Sequence, residues 1–140
     1  MTHRAEQVIT AIDALITGLA TTGANVYRAF DQVLLVPALV LKQSADAVDN
    51  VEYAEYNRAL DITIEINIRK SASAETTLNA IRAELFYALM VDQTLGLAFV
   101  TKTQPVSDDE PTQKDLERPI VSQSCRYRVY YRHSTKTAEG

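Results

Sequence analysis

Apolar residues open the chain with the period of a helix. From His3 to Ala20, Val8, Ile12, Leu15, Ile16 and Leu19 recur at i, i+4, i+7, i+8 and i+11, the one-sided stripe of an amphipathic helix. Gly18 and then Gly23 mark its end. The period then changes. Ala24–Arg28 and Pro37–Lys42 are short β-prone runs, the second bounded by Pro37 and by Ser44-Ala45-Asp46, and they predict two strands. Between Leu60 and Lys70 the alternation is strict: Leu60, Ile62, Ile64, Ile66 and Ile68 interleave with Asp61, Thr63, Glu65, Asn67 and Arg69. One face of that strand belongs to a core and the other to water.

A second helical period follows. Ser73 stands where an N-cap is expected, Glu75 lies in the first turn, and Leu78, Ile81, Leu85 and Leu89 form the stripe, so the helix should end near Asp92. Leu97–Thr103 predicts a further strand. The last strand, Ile120–His133, sets Cys125, Tyr127, Val129 and Tyr131 on one face and Ser124, Arg126, Arg128, Tyr130 and Arg132 on the other.

Two polar stretches interrupt these elements. Ser44–Arg58 carries Asp46, Asp49, Glu52 and Glu55 with Tyr53 and Tyr56, and Gln104–Pro119 holds three of the four prolines and five acids. Both read as long inserts, and loops beyond about 12 to 15 residues in compact domains are usually functional or disordered. Tyr53 and Tyr56 among polar residues suit an interface that orders on binding, or they fold back over the sheet. The order helix, two or three strands, helix, two strands has no regular β-α-β alternation. The expected fold is therefore α+β, a mainly antiparallel sheet with two helices packed on one face and long polar inserts. Residues 1–140 read as a single domain with a polar tail from about 134 to 140.

Composition narrows the function classes. The 140 residues are 46% hydrophobic and 23% charged, with net charge −4, which describes an ordinary globular chain with no broad attraction for nucleic acid or anionic membrane. No apolar run reaches the roughly 18 residues that a membrane span requires. The single Cys125 cannot form an internal disulfide, and no signal-peptide pattern opens the chain, so synthesis in a reducing cytoplasm is expected.

Candidate chemistry is sparse. Two histidines, His3 and His133, stand at opposite ends with one cysteine, which argues against a metal centre. Cys125 and His133 lie eight residues apart on one predicted strand, hence about 26 Å apart and unable to act as nucleophile and base. The acids of 107–117 lack the alternating Asp/Asn positions, central Gly and closing Glu of a calcium loop. Gly-rich phosphate loops, G-x-S-x-G and H-E-x-x-H are all missing. No catalytic, cofactor or metal residue is therefore assigned, and no cofactor is expected.

Charge is the informative remainder. Residues 107–117 hold Asp108, Asp109, Glu110, Asp115 and Glu117 against Lys114, net −4; residues 118–140 hold Arg118, Arg126, Arg128, Arg132 and Lys136 against Glu139, net +4. Adjacent segments of opposite sign suit heterologous, head-to-tail contacts between copies, which close into rings when the rotation permits. Neutralisation within one subunit is the alternative. In particular, if the last strand pairs with Leu60–Lys70, Asp61 and Glu65 share the wet face with the arginines and can pair across the strands. The Arg126, Arg128, Tyr130, Arg132 stripe also has the composition of a nucleic-acid platform, a third reading.

The phrases Val-Ile-Thr-Ala-Ile-Asp-Ala-Leu (8–15), Thr-Thr-Gly-Ala-Asn-Val-Tyr-Arg (21–28), Pro-Ala-Leu-Val-Leu (37–41), Ile-Arg-Ala-Glu-Leu (81–85) and Tyr-Arg-Val-Tyr-Tyr-Arg (127–132) occur in this order. With the long alternating strand between them, the arrangement resembles the tail terminator proteins of tailed bacteriophages, the group that includes the lambda-type minor tail protein U and related tail completion proteins. The resemblance implies a small α+β subunit of a ring, usually a hexamer, on the head-proximal end of the tail tube. Such a ring stops tube growth and offers a joining surface to the head. Implied partners are further copies of the chain, the tail tube protein and the head connector or neck protein. Neither a membrane nor a specific nucleic acid is a partner, and the location is the virion tail or neck. A head-side connector or adaptor, or a small ligand-binding or enzymatic domain, are the alternatives. Candidate contact residues are Asp108, Asp109, Glu110 and Asp115 on one side, Arg126, Arg128 and Arg132 on the other, with Tyr53 and Tyr56.

Overall fold

The computed structural model describes residues 4–19, 21–23, 25–28, 37–52, 55–114 and 119–134. In chain order the elements are α1 (Arg4–Ile16), β1 (Val26–Arg28), β2 (Ala38–Glu52), β3 (Glu55–Arg69), α2 (Ala74–Met90), β4 (Val100–Asp108), β5 (Thr112–Lys114) and β6 (Ile120–Ser134). The sheet order is β1-β2-β3-β6-β4, with β5 also pairing β6. Among the described strands only the β1–β2 pair is parallel; the other pairings are antiparallel. The fold is α+β, as the order of periodicities predicts.

The alternation of β3 sets the core. Leu60, Ile62, Ile64, Ile66 and Ile68 are all buried and face the helices. The β3–β6 register places Val129, Tyr127 and Cys125 opposite Leu60, Ile62 and Ile64, while β2 contributes Leu39 and Leu41 opposite Ile66 and Ile64. Val8, Ile9, Ile12 and Ile16 of α1 and Leu78, Ile81, Leu85 and Leu89 of α2 close over this surface. Each such side chain contributes roughly 1.5–3 kcal/mol by leaving water, and both helical stripes go to one face because they share one hydrophobic layer.

α1 stops where glycine allows a reversal. Gly18 has φ 93° and Gly23 φ 56°, and the turn closes through Gly18 N–H to Gly23 O and Gly23 N–H to Leu19 O, both 2.7 Å. At the start of α2, Ser73 occupies the N-cap but its side chain makes no capping bond. Its carbonyl accepts from Thr77 N–H at 3.0 Å, the first helical bond, while the expected side-chain cap does not form.

The two polar stretches are corrected by the structure. Ser44–Glu52 continues β2 and Glu55–Arg58 begins β3, forming the outer half of a long antiparallel pair; Tyr56 pairs with Val51 and His133 in the ladders. Gln104–Asp108 likewise extends β4, and Thr112–Lys114 is β5. These strands escaped a reading by alternation because alternation reports a core on one side, and ladder hydrogen bonds form without one. The strand expected at Leu97–Thr103 begins only at Val100, after turns between Asp92 and Phe99. Tyr53, Asp115 and the tail from 135 lie outside the described residues.

Candidate assembly interface

Strand alternation sends the consecutive acids Asp108 and Asp109 to opposite sides of the sheet. Asp108 faces the helices, where Oδ2 accepts from Arg82 Nη2 at 2.7 Å and Nε at 3.0 Å; Arg82 is steadied by Asn79 Oδ1. Asp109 meets Arg126, with Nη2 to Oδ2 2.9 Å and Nε to Oδ1 3.2 Å. Its backbone is fixed by Asp109 N–H to Ser124 O, 2.8 Å, and Gln123 Nε2 to Asp109 O, 3.0 Å. The Arg126 hydrogen bonds hold the Asp109 carboxyl below its ordinary range and raise the guanidinium in turn. Glu110 is exposed beyond this pair.

The remaining arginines are also engaged within the subunit. Arg128 Nε donates to Asp61 Oδ1 at 2.6 Å, the pairing that register opposition of those residues allows. Glu65 instead takes Lys42 of β2, 2.9 Å away. Arg132 Nη2 donates to Ala98 O at 3.2 Å, and its own carbonyl accepts from Arg4, whose guanidinium lies 4.6 Å over the Phe99 ring. Tyr130 sits between Lys102, 5.1 Å from its centroid, and Gln104. The stripe is thus a lattice of local pairs whose guanidinium groups stay partly exposed, Arg126 at 50% and Arg128 at 36%.

Sequence periodicity missed a second surface. Phe86, Tyr87 and Val91, at the C-terminal end of α2, are 50%, 73% and 65% exposed. The signal lies in Leu85-Phe86-Tyr87-Ala88-Leu89-Met90-Val91, seven consecutive apolar residues. A helix can turn only one stripe of such a run to its own core, and the rest must face outward. Asp92 closes this end, its carboxylate accepting from Thr94 N–H and Oγ1 at 3.0 and 2.6 Å, bonds that lower its pKa. A groove of about 440 Å³ runs beside Phe86, lined by Asn79, Arg82, Ala83, Pro105, Asp108 and Tyr127.

Cys125 is 1% exposed, and burial, with Asp108 nearby, pushes its thiol up to about 12, far from a nucleophile's range. Among the described residues, no group of three or more His, Cys, Asp or Glu side chains could hold a metal ion, and no helix is long and apolar enough to cross a membrane.

No family model and no curated protein matches the chain. Its fold is similar to that of a chain in the virion of a native gene transfer agent (GTA) particle, with a TM-score of 0.54 at 14% identity, covering 87% of this chain and 84% of that one.

Proposed function

We propose that the protein is a non-enzymatic structural subunit of a virion, and within that class a phage tail terminator. In this reading copies form a ring, with six the expected number, on the head-proximal end of the tail tube. There the ring stops tube growth and presents the surface that joins the head connector or neck. The observation that carries the proposal is the fold likeness to a virion chain, which extends over nearly the whole of both chains. The resemblance of residues from about 4 to 133 to tail terminators supports the finer assignment. So does the surface: an exposed apolar helix end and charged strand faces are the material of subunit contacts.

The test is to add the purified protein to tail tubes growing in vitro and to follow tube length by electron microscopy, with sedimentation of the free protein alongside. Tubes capped at one end by a ring are expected. Tubes that grow unchecked while the protein binds isolated head connectors would replace the terminator by an adaptor. Binding to neither would remove the virion reading.

A further inference from the structure

The helices cover one face of the sheet, and the outer side of α2 and part of the opposite sheet face carry complementary surfaces. On the side of the sheet opposite the helices, Val106 is the extra residue of a β4 bulge between Pro105 and Ser107 and is 46% exposed. It lines a groove of about 160 Å³ with Ser44, Asp61, Thr63, Arg126 and Arg128. On the helix side stand Phe86, Tyr87 and Val91.

Charge divides the same way among the described side chains. The face opposite the helices carries Lys42, Arg69, Lys102, Arg126, Arg128 and Arg132 against Asp61, Glu65 and Asp109, an excess of three positive charges. The helix side carries Glu6, Asp13, Glu75, Glu84, Asp92 and Asp108 against Arg4, Arg28 and Arg82, an excess of three negative charges. Opposite signs on opposite sides favour association of like copies in one direction and disfavour face-to-face pairing.

We infer that the α2 end of one copy, led by Tyr87, docks on the Val106–Arg126–Arg128 groove of the next, so that the sheet face opposite the helices gains a helix from its neighbour at this groove. The occupant is a second copy of this chain, and the inference rests on the ring reading above. Tyr87 supplies an aromatic face to guanidinium groups that remain half exposed after their internal pairing, a geometry suited to cation–π contact. Phe86 and Val91 cover Val106, and Asp92 adds an acid opposite the excess of positive charge on that face. The contact is heterologous, so it propagates from copy to copy and closes when the rotation completes a circle.

Cysteine cross-linking of the full chain tests this, because Cys125 is buried and does not compete. Tyr87→Cys and Val106→Cys are made singly and together, oxidised, and separated without reductant, with sedimentation of the unsubstituted protein in parallel. The double variant should give a ladder of covalent oligomers, the mixed single variants only dimers, and each single variant alone a monomer. Dimers from Tyr87→Cys alone would overturn the inference in favour of a two-fold contact between α2 helices. A sedimenting ring without a ladder would overturn this contact and leave the ring reading standing. Monomers at every concentration without a ladder would overturn both.

Discussion

Arg128 and Asp61 face each other directly across the β3–β6 ladder and are joined by a 2.6 Å hydrogen bond from Nε to Oδ1. The pair binds the two central strands of the sheet on their wet side. Their side chains are 36% and 35% exposed, so solvent screening removes most of the Coulomb gain. Arg128→Gln should therefore cost less than about 1 kcal/mol of subunit stability, read from urea midpoints at low and high salt. A larger loss would mean that the pair is far better desolvated than its exposure indicates.

Asp109 and Arg126 allow the local and the assembly roles of charge to be separated. Exchanging them, as Asp109→Arg with Arg126→Asp, keeps an ion pair inside the subunit and reverses its polarity. The thermal midpoint should stay near that of the parent while ring closure weakens, seen as a shift towards smaller species in sedimentation. Unchanged assembly of the exchanged variant would confine this pair to a structural role.

Ile64 is fully buried at the centre of the sheet, with Leu41 and Cys125 as its register partners. Truncation leaves a cavity between two helices and three strands that cannot collapse together. Ile64→Ala should cost about 2–5 kcal/mol, measured by denaturant unfolding. A loss below about 1 kcal/mol would contradict the packing described.

Stability should fall under alkaline conditions. Burial raises the phenols of Tyr127 and Tyr131 above their ordinary value of 10.0 and the Cys125 thiol from 9.0 to about 12; Tyr131 also donates to Asp46 Oδ2 at 2.7 Å. Above about pH 9 the unfolded chain loses these protons before the folded one does, so the folded state holds more protons and stability declines as pH rises. Below about pH 8 the three groups are almost fully protonated in both states and contribute little slope. Urea midpoints should be flat from about pH 7 to 8 and drop towards pH 11. Cys125→Ala combined with Tyr131→Phe should reduce the slope.

What could be read from the chain depended on whether a residue had a core beside it. β3 and β6 declared both faces in their sequences because one side of each is buried against helices, and α1 and α2 declared their stripes for the same reason. The outer half of β2 and the end of β4 carry polar residues along their length, and there the pairing rests on backbone hydrogen bonds that leave no periodic mark. On the charged strand faces the sequence showed which charges are clustered, and strand register set Arg128 opposite Asp61 and Ser124 opposite Glu65. Asp108 and Asp109 look equivalent in sequence, yet adjacent strand positions divide them between Arg82 and Arg126. The Leu85–Val91 run was visible throughout, but its meaning depends on knowing that the sheet accepts only one stripe of α2.

The position of β6 between β3 and β4 has a consequence for biogenesis. Every strand it separates precedes it in the chain, and its pairing with β3 joins residues as far apart as Glu55 and Ser134. Until Ile120–Ser134 emerges from the ribosome, the inner edges of β3 and β4 have no partner and the Ile-rich face of β3 lacks half its width. Such distant pairing is slow to form and leaves adhesive edges exposed meanwhile. Shielding of nascent chains by a chaperone would therefore matter most just before β6 is translated, and the completed sheet exists only after that strand has inserted.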